Sequence, residues 1–148
     1  MALKTTGQFS RNVKTMVPDD LLQEMNRKAR RASRHAYCPY SRFPVGAAVL
    51  TGEGTVFAGG NVENASYGLT ICAERNAVFQ AISHGASEIR AVLVYTPTAH
   101  PTAPCGACRQ VINEFGPDSD IICVCDGRKV IRRKLSSLLA APFGPRNL

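Results

Sequence analysis

Val45-Gly46-Ala47-Ala48-Val49-Leu50-Thr51-Gly52-Glu53-Gly54-Thr55-Val56-Phe57-Ala58 is the stretch on which the fold turns. Its first six residues are an apolar run of the length of a buried strand. Thr51-Gly52-Glu53-Gly54 is a turn, and Thr55 to Ala58 returns as the second arm of a hairpin. Upstream, Pro18-Asp19-Asp20 suits a first helical turn. Leu21, Leu22, Met25, Ala29, Ala32 and Ala36 follow at helical spacing, with Arg27, Lys28, Arg30, Arg31 and Arg34 largely off that stripe. Cys38-Pro39-Tyr40-Ser41 is expected to end this helix, because a residue before proline disfavours the α region. Downstream, Gly59 to Asn64 reads as a polar loop. Ile71 to His84 carries a helical pattern through Ala73, Ala77, Val78, Ala81 and Ile82, with Gly85 placed to stop it. Ile89 to Tyr95 reads as a core strand, 105–115 as a short helix and Ile121 to Val124 as another apolar strand. Val130-Ile131 fits a short edge strand, and Lys134 to Ala140 a last short helix. A leading helix, a hairpin and then alternating helices and strands imply an α/β sandwich of helices on one sheet, antiparallel at one edge.

The chain has 148 residues, which fits one domain preceded by a short tail. Residues 1–16 lack periodicity and read as a mobile tail, and 17–148 as the domain. A chain of this length buries about two-thirds of its unfolded surface and needs no disulfide staple. With 45% hydrophobic and 20% charged residues, composition excludes a disordered chain. No apolar run approaches the roughly 18 residues of a membrane span. Met1 to Thr15 is polar and basic without an apolar core, so no secretory signal is read there. The six cysteines are therefore expected in a reducing cytosol, where metal binding or catalysis is a commoner use than disulfides.

Two segments carry the chemistry: Cys72-Ala73-Glu74 and Pro104-Cys105-Gly106-Ala107-Cys108. A C-x-x-C pair with a third cysteine elsewhere suits a tetrahedral zinc site with three protein ligands and one position open to water. Cys72 and the Cys105–Cys108 pair would each open a helix, where the positive helix end lowers thiol pKa. Glu74 lies two residues after Cys72, too close to bind the same ion easily. It can instead move a proton between water and substrate. Two other readings stay open at this point. A lone C-x-x-C also serves as a thioredoxin-like redox pair, which leaves Pro104 and Glu74 unexplained. A closed structural zinc site needs a fourth ligand, for which His100, Cys123 and Cys125 are candidates. Cys123 and Cys125 sit in the apolar run 121–125, where buried cysteine behaves as a small hydrophobe. Cys38 has no assigned role.

C-A-E at 72–74 and P-C-G-A-C at 104–108 match the three-cysteine variant of the zinc-deaminase signature. Together with Tyr40-Ser41-Arg42-Phe43-Pro44-Val45-Gly46, Asn61-Val62-Glu63-Asn64, Arg75, Arg109-Gln110-Val111 and Phe143-Gly144-Pro145, they resemble cytidine deaminase of the small homotetrameric kind. The resemblance spans about 18–148 in order. It implies a three-layer α-β-α sandwich on a five-stranded mixed sheet. It also implies hydrolytic deamination of cytidine and 2′-deoxycytidine, in pyrimidine salvage, by a cytoplasmic homotetramer with shared sites. Carried over, Cys72, Cys105 and Cys108 hold Zn²⁺ and Glu74 shuttles protons. Asn61 and Glu63 bind the ribose 3′-hydroxyl, although the same residue types also cap loops. Phe43 packs on the pyrimidine, the backbone of Ala73 accepts the substrate amino group, and Phe143 reaches a neighbouring subunit's site. Tyr67 is a further candidate for completing a neighbour's site. Three thiolates on Zn²⁺ leave a formal charge of −1, and Arg75 offsets it by hydrogen bonding to sulfur. Arg109, after the last ligand, is a second candidate for the same role, although a solvated surface arginine accounts for it as well. Asn76 departs from the threonine that many relatives carry.

The formal charge of +7 admits a nucleic-acid partner through the basic runs at 27–34 and 128–134. Solvated helix faces account for them as well, and an Asn61–Glu63 pocket around a free sugar speaks against a polynucleotide. Three rivals to the nucleoside reading follow: a modified or antibiotic cytosine nucleoside as substrate, a polynucleotide-editing deaminase, and a non-catalytic zinc-stabilised binding protein. Glu74 and the open ligand position argue against the last.

Overall fold

The computed structural model describes residues 17–148, so the tail expected at 1–16 lies outside the described residues. Helix α1 (Asp19–Ser33) starts directly after Pro18, with Asp19 and Asp20 in its first turn and Arg30 and Arg31 in its last. Both ends therefore complement the helix dipole. The helix buries Leu22, Met25, Ala29 and Ser33. It stops at Ser33, five residues short of the Cys38-Pro39 boundary expected from sequence. The chain leaves the helix there because Tyr37 is recruited as a bridge partner of Val62.

Five strands follow: β1 (Gly46–Thr51), β2 (Val56–Gly60), β3 (Ile89–Thr96), β4 (Asp120–Cys125) and β5 (Ile131–Lys134). They form one sheet in the order β2-β1-β3-β4-β5. Only β3 and β4 run parallel. Their crossover contains helix α3 (Gly106–Phe115), as a parallel connection requires. Helix α2 (Ala73–Ser83) links β2 to β3. The mixed sheet is thus antiparallel at both edges rather than one, because β5 also returns against β4.

Strand alternation divides the core. Ala48, Leu50, Ala91, Leu93, Ile122 and Val124 face α1. Ala47, Val49, Val92, Val94, Ile121 and Cys123 face α2 and α3, joined by Ala77, Val78 and Ile112. This is the expected three-layer α-β-α sandwich. Gly46 shows how closely the layers approach, because a Cβ there would lie 1.8 Å from the carbonyl oxygen of Ala29 in α1.

The C-terminal region differs from expectation. The edge strand runs to Lys134, whose Nζ meets the Asp120 carboxylate at 2.8 Å across the β4–β5 pair. Lys134 is thereby committed to the sheet, and the helix expected over 134–140 shrinks to a 3₁₀ turn, Leu135–Ser137. Among the described residues, no helix is long and apolar enough to cross a membrane.

Candidate active site

The site starts from two helix N-termini. Cys72 is the extended residue that precedes α2, and Cys105 holds the same position before α3. Their carbonyls accept the opening N–H bonds of the helices, from Asn76 at 3.1 Å and Arg109 at 3.0 Å. Cys108 lies in the first turn of α3 and is fully buried. The three sulfurs all lie within 4.8 Å of one another. Cys72 Sγ is 4.0 Å from Cys105 Sγ, which is 3.6 Å from Cys108 Sγ. Sulfurs about 2.3 Å from a common tetrahedral centre stand about 3.8 Å apart. The cluster therefore fits a zinc ion. Neither His100 nor Cys123 nor Cys125 joins it, so among the described residues no fourth ligand closes the site. Cys123 is packed in the core and Cys125 is buried, as expected of small hydrophobes.

Electrostatics favour the thiolate at Cys72. Cys72 is pushed down to about 5, first by the Cys108 thiol hydrogen-bonding to it and next by Arg75. The Cys108 thiol is pushed up by the same bond and by burial. Arg75 sits in the first turn of α2, and its Nη2 donates to Cys72 Sγ at 3.4 Å and to the Thr70 carbonyl at 3.3 Å. Arg75 Nε is buried with no hydrogen-bond partner among the described residues. Glu74 is 5% exposed, and burial raises its carboxyl above the usual glutamate range. Ala73 opens α2 with its methyl group fully buried.

A second group is delivered by loops. The segment 61–63 lies between two chain neighbours. Tyr37 N–H donates to the Asn61 carbonyl at 2.9 Å, and Glu63 N–H to the Tyr37 carbonyl at 2.8 Å. On its other side, Val62 and Ile71 exchange both backbone bonds at 2.9 Å. Ile71 immediately precedes Cys72, so this ladder ties Asn61 and Glu63 to the sulfur cluster. Asn61 Oδ1 accepts the Val45 N–H at 2.8 Å, and its Nδ2 donates to the Phe43 carbonyl at 3.0 Å. Glu63 Oε2 accepts the N–H groups of Tyr40 and Ser41 at 2.9 and 3.2 Å, and Oε1 accepts the Ser41 hydroxyl. The Ser41 bond, with the two N–H groups, holds this carboxyl below the usual range. Both residues thus pin the loop that carries Phe43. Each keeps capacity for a ligand, since an amide N–H of Asn61 and a lone pair on Glu63 Oε1 are left over.

Phe43 is partly exposed at 36%. Phe143 is 61% exposed, and its carbonyl accepts Gln110 Nε2 of α3 at 2.8 Å. Tyr67 is exposed and stands against Tyr40 with ring centroids 5.7 Å apart. Arg109 corrects the surface reading. It is half-buried and donates to the carbonyls of Pro104 and Leu138, both at 2.8 Å, fastening the C-terminal segment to the start of α3. Ser41 is the residue that sequence reasoning passed over. No periodicity connects position 41 to position 63, and only the fold shows the bond.

Comparison with known proteins places these features in context. Residues 20–125 match the family model for the cytidine and deoxycytidylate deaminase zinc-binding region. A curated cytidine deaminase of Sporosarcina psychrophila is 48% identical over 94 residues, 64% of this chain and 69% of that protein. One from Mycobacterium tuberculosis is 41% identical over 128 residues, 86% of this chain and 93% of its own length. The crystal structure of cytidine deaminase from Burkholderia pseudomallei superposes with a TM-score of 0.77 at 44% identity, covering 82% of this chain and 98% of that one.

Proposed function

The chain belongs to the cytidine and deoxycytidylate deaminase family, and from that membership we infer a zinc-dependent hydrolase that converts cytidine and 2′-deoxycytidine to uridine and 2′-deoxyuridine with release of ammonia. The observation that carries this reading is the meeting of three sulfurs within 4.8 Å at two helix starts, with buried Glu74 in the first turn of one of them.

In this proposal Cys72, Cys105 and Cys108 hold the zinc, which supplies a Lewis acid that lowers the pKa of water toward neutrality. The remaining chemistry belongs to the chain. A Glu74 carboxylate oxygen accepts one proton as water adds to carbon 4 and passes it to ring N3. It then takes the second proton from the new C4 hydroxyl and gives it to the amino nitrogen, so that the C4–N bond breaks, ammonia leaves and the hydroxyl oxygen becomes the uracil carbonyl. Burial raises the Glu74 pKa, which makes it a better proton carrier near neutral pH than an exposed glutamate. Arg75, hydrogen-bonded to Cys72 Sγ, draws off negative charge that three thiolates would otherwise place on the metal.

Asn61 and Glu63 are assigned the sugar. A hydroxyl can accept from the spare Asn61 N–H and donate to the spare Glu63 lone pair, whereas a 3′-phosphodiester has no proton to give and meets a fixed carboxylate. That contrast favours a free nucleoside over a polynucleotide. Phe43 is assigned to the face of the pyrimidine and the Ala73 carbonyl to its amino group. The exposed ring of Phe143 is assigned to a neighbouring subunit's site in a homotetramer. A cytoplasmic place in pyrimidine salvage completes the reading, because the metal-binding thiols have to stay reduced.

One experiment tests it. Ammonia release is measured over cytidine, deoxycytidine, cytosine, their phosphates, analogues and short oligonucleotides, on protein fractionated by sedimentation. Turnover of both nucleosides by the tetramer is expected, with the phosphates and oligonucleotides far slower. Comparable rates on an oligonucleotide, or full activity in a monomer, would overturn it.

A further inference from the structure

Asn76 sits where the two halves of the site meet. It lies on α2, one turn after Cys72, and its backbone N–H donates to the Cys72 carbonyl at 3.1 Å. Its side-chain Nδ2 donates to the Gly60 carbonyl at 2.8 Å. That carbonyl belongs to the peptide unit joining Gly60 to Asn61. The N–H of the same unit donates to the Val45 carbonyl at 3.2 Å. The peptide that leads into Asn61 is therefore held at both ends, by α2 on one side and the β1 approach on the other.

The arrangement depends on the position of β2 in the sheet. Among the described residues β2 is an edge strand, paired only to β1. With Asn61 N–H turned toward Val45, alternation turns the carbonyls of Gly60, Ala58 and Val56 to the free edge. Side chains cap all three: Asn76 on Gly60, Gln80 on Ala58 at 3.0 Å, and Lys28 of α1 on Val56 at 2.8 Å. Gly59 makes the contact close, since a Cβ there would come within 2.8 Å of Asn76 Cβ. Of the three caps, only Asn76 joins the backbone of a proposed metal ligand to the peptide of a proposed sugar ligand.

We infer that Asn76 is a positioning residue that sets Asn61 in register with the Cys72 end of the site, and so governs how strongly the enzyme recognises the sugar 3′-hydroxyl. The inference rests on the assignment of Asn61 to that hydroxyl. It does not require Asn76 to touch the substrate.

The test uses the zinc-loaded full chain and binding rather than turnover. Dissociation constants of uridine and of 3′-deoxyuridine are measured by calorimetry for the wild type, Asn61→Ala, Asn76→Ala and Gln80→Ala, with zinc content determined for each. Their ratio reports recognition of the hydroxyl and is insensitive to a general loss of stability. Asn61→Ala is expected to abolish most of the preference for uridine. Asn76→Ala is expected to lower it about fivefold, the effect of one ordinary hydrogen bond, with zinc content retained. Gln80→Ala removes the neighbouring helix–strand bond and is expected to leave the ratio unchanged. A ratio that falls in Asn61→Ala but holds in Asn76→Ala overturns the positioning role. So does an equal fall in Gln80→Ala, which would mark a general loosening of the edge. A ratio unmoved by Asn61→Ala removes the sugar assignment itself, and the inference with it.

Discussion

At the metal end of the site, three sulfurs and Glu74 come from two short runs of sequence at the starts of α2 and α3. At the opposite end, the side chains of Asn61 and Glu63 are held by partners 16 to 23 residues away in the chain. The first half is built by local geometry, because a helix start both aims a cysteine and supplies positive potential to its sulfur. The second half is built by tertiary contacts: Tyr37 and Ile71 on either side of the segment, Ser41 on the carboxylate, and Asn76 on the preceding peptide. The difference teaches that, on the proposed roles, chemistry and recognition are built separately. Damage to distant packing is expected to reach the Asn61–Glu63 segment before it reaches the sulfurs.

Glu74→Gln is the strongest way to sharpen that separation. It keeps the volume and the helix start while removing the proposed proton carrier, so turnover should fall by about 10²–10⁴. Metal analysis and nucleoside binding should stay near wild type. Near-normal turnover would remove Glu74 from the mechanism. Gly46→Ala is the next largest. A Cβ at this position collides with the Ala29 carbonyl oxygen at 1.8 Å, so α1 has to shift. Thermal or urea unfolding should show a loss of about 1–3 kcal/mol. Because Gly46 pairs with Gly60, nucleoside affinity should weaken while zinc content holds. Loss of zinc with affinity intact would reverse the comparison. Ser41→Ala is the smallest. It removes one hydroxyl from a carboxylate that keeps two backbone donors, and KM for cytidine should rise about tenfold or less with kcat little changed. A change confined to kcat would mean that Glu63 serves the chemistry rather than the sugar.

The two ends also differ in how far they could be read without a structure. C-A-E and P-C-G-A-C are legible because ligand spacing and helix-start chemistry occupy adjacent residues, and the fold places both where that reading expects. The sandwich was legible for the same reason, since strand alternation and helical spacing are short-range patterns. The solvated reading of Arg109 fails because its partner carbonyl at Leu138 is 29 residues away, beyond any local pattern. The helix expected over 134–140 failed because Asp120, distant in sequence, holds Lys134 in the sheet. Ser41 and Asn76 act through bonds to Glu63 and Gly60 that no periodicity announces. Resemblance could point to Asn61 and Glu63, but only the fold shows what aims them.

The central claim is that Cys72, Cys105 and Cys108 hold the metal on which deamination depends, while the other cysteines pack or stand idle. Zinc content and cytidine turnover measured together in Cys72→Ala, Cys105→Ala, Cys108→Ala and Cys123→Ala test it most directly. The account predicts that each of the first three loses zinc and activity together, whereas Cys123→Ala folds less stably but retains stoichiometric zinc and turnover. Full zinc and full turnover after replacement of Cys72, Cys105 or Cys108 would contradict it.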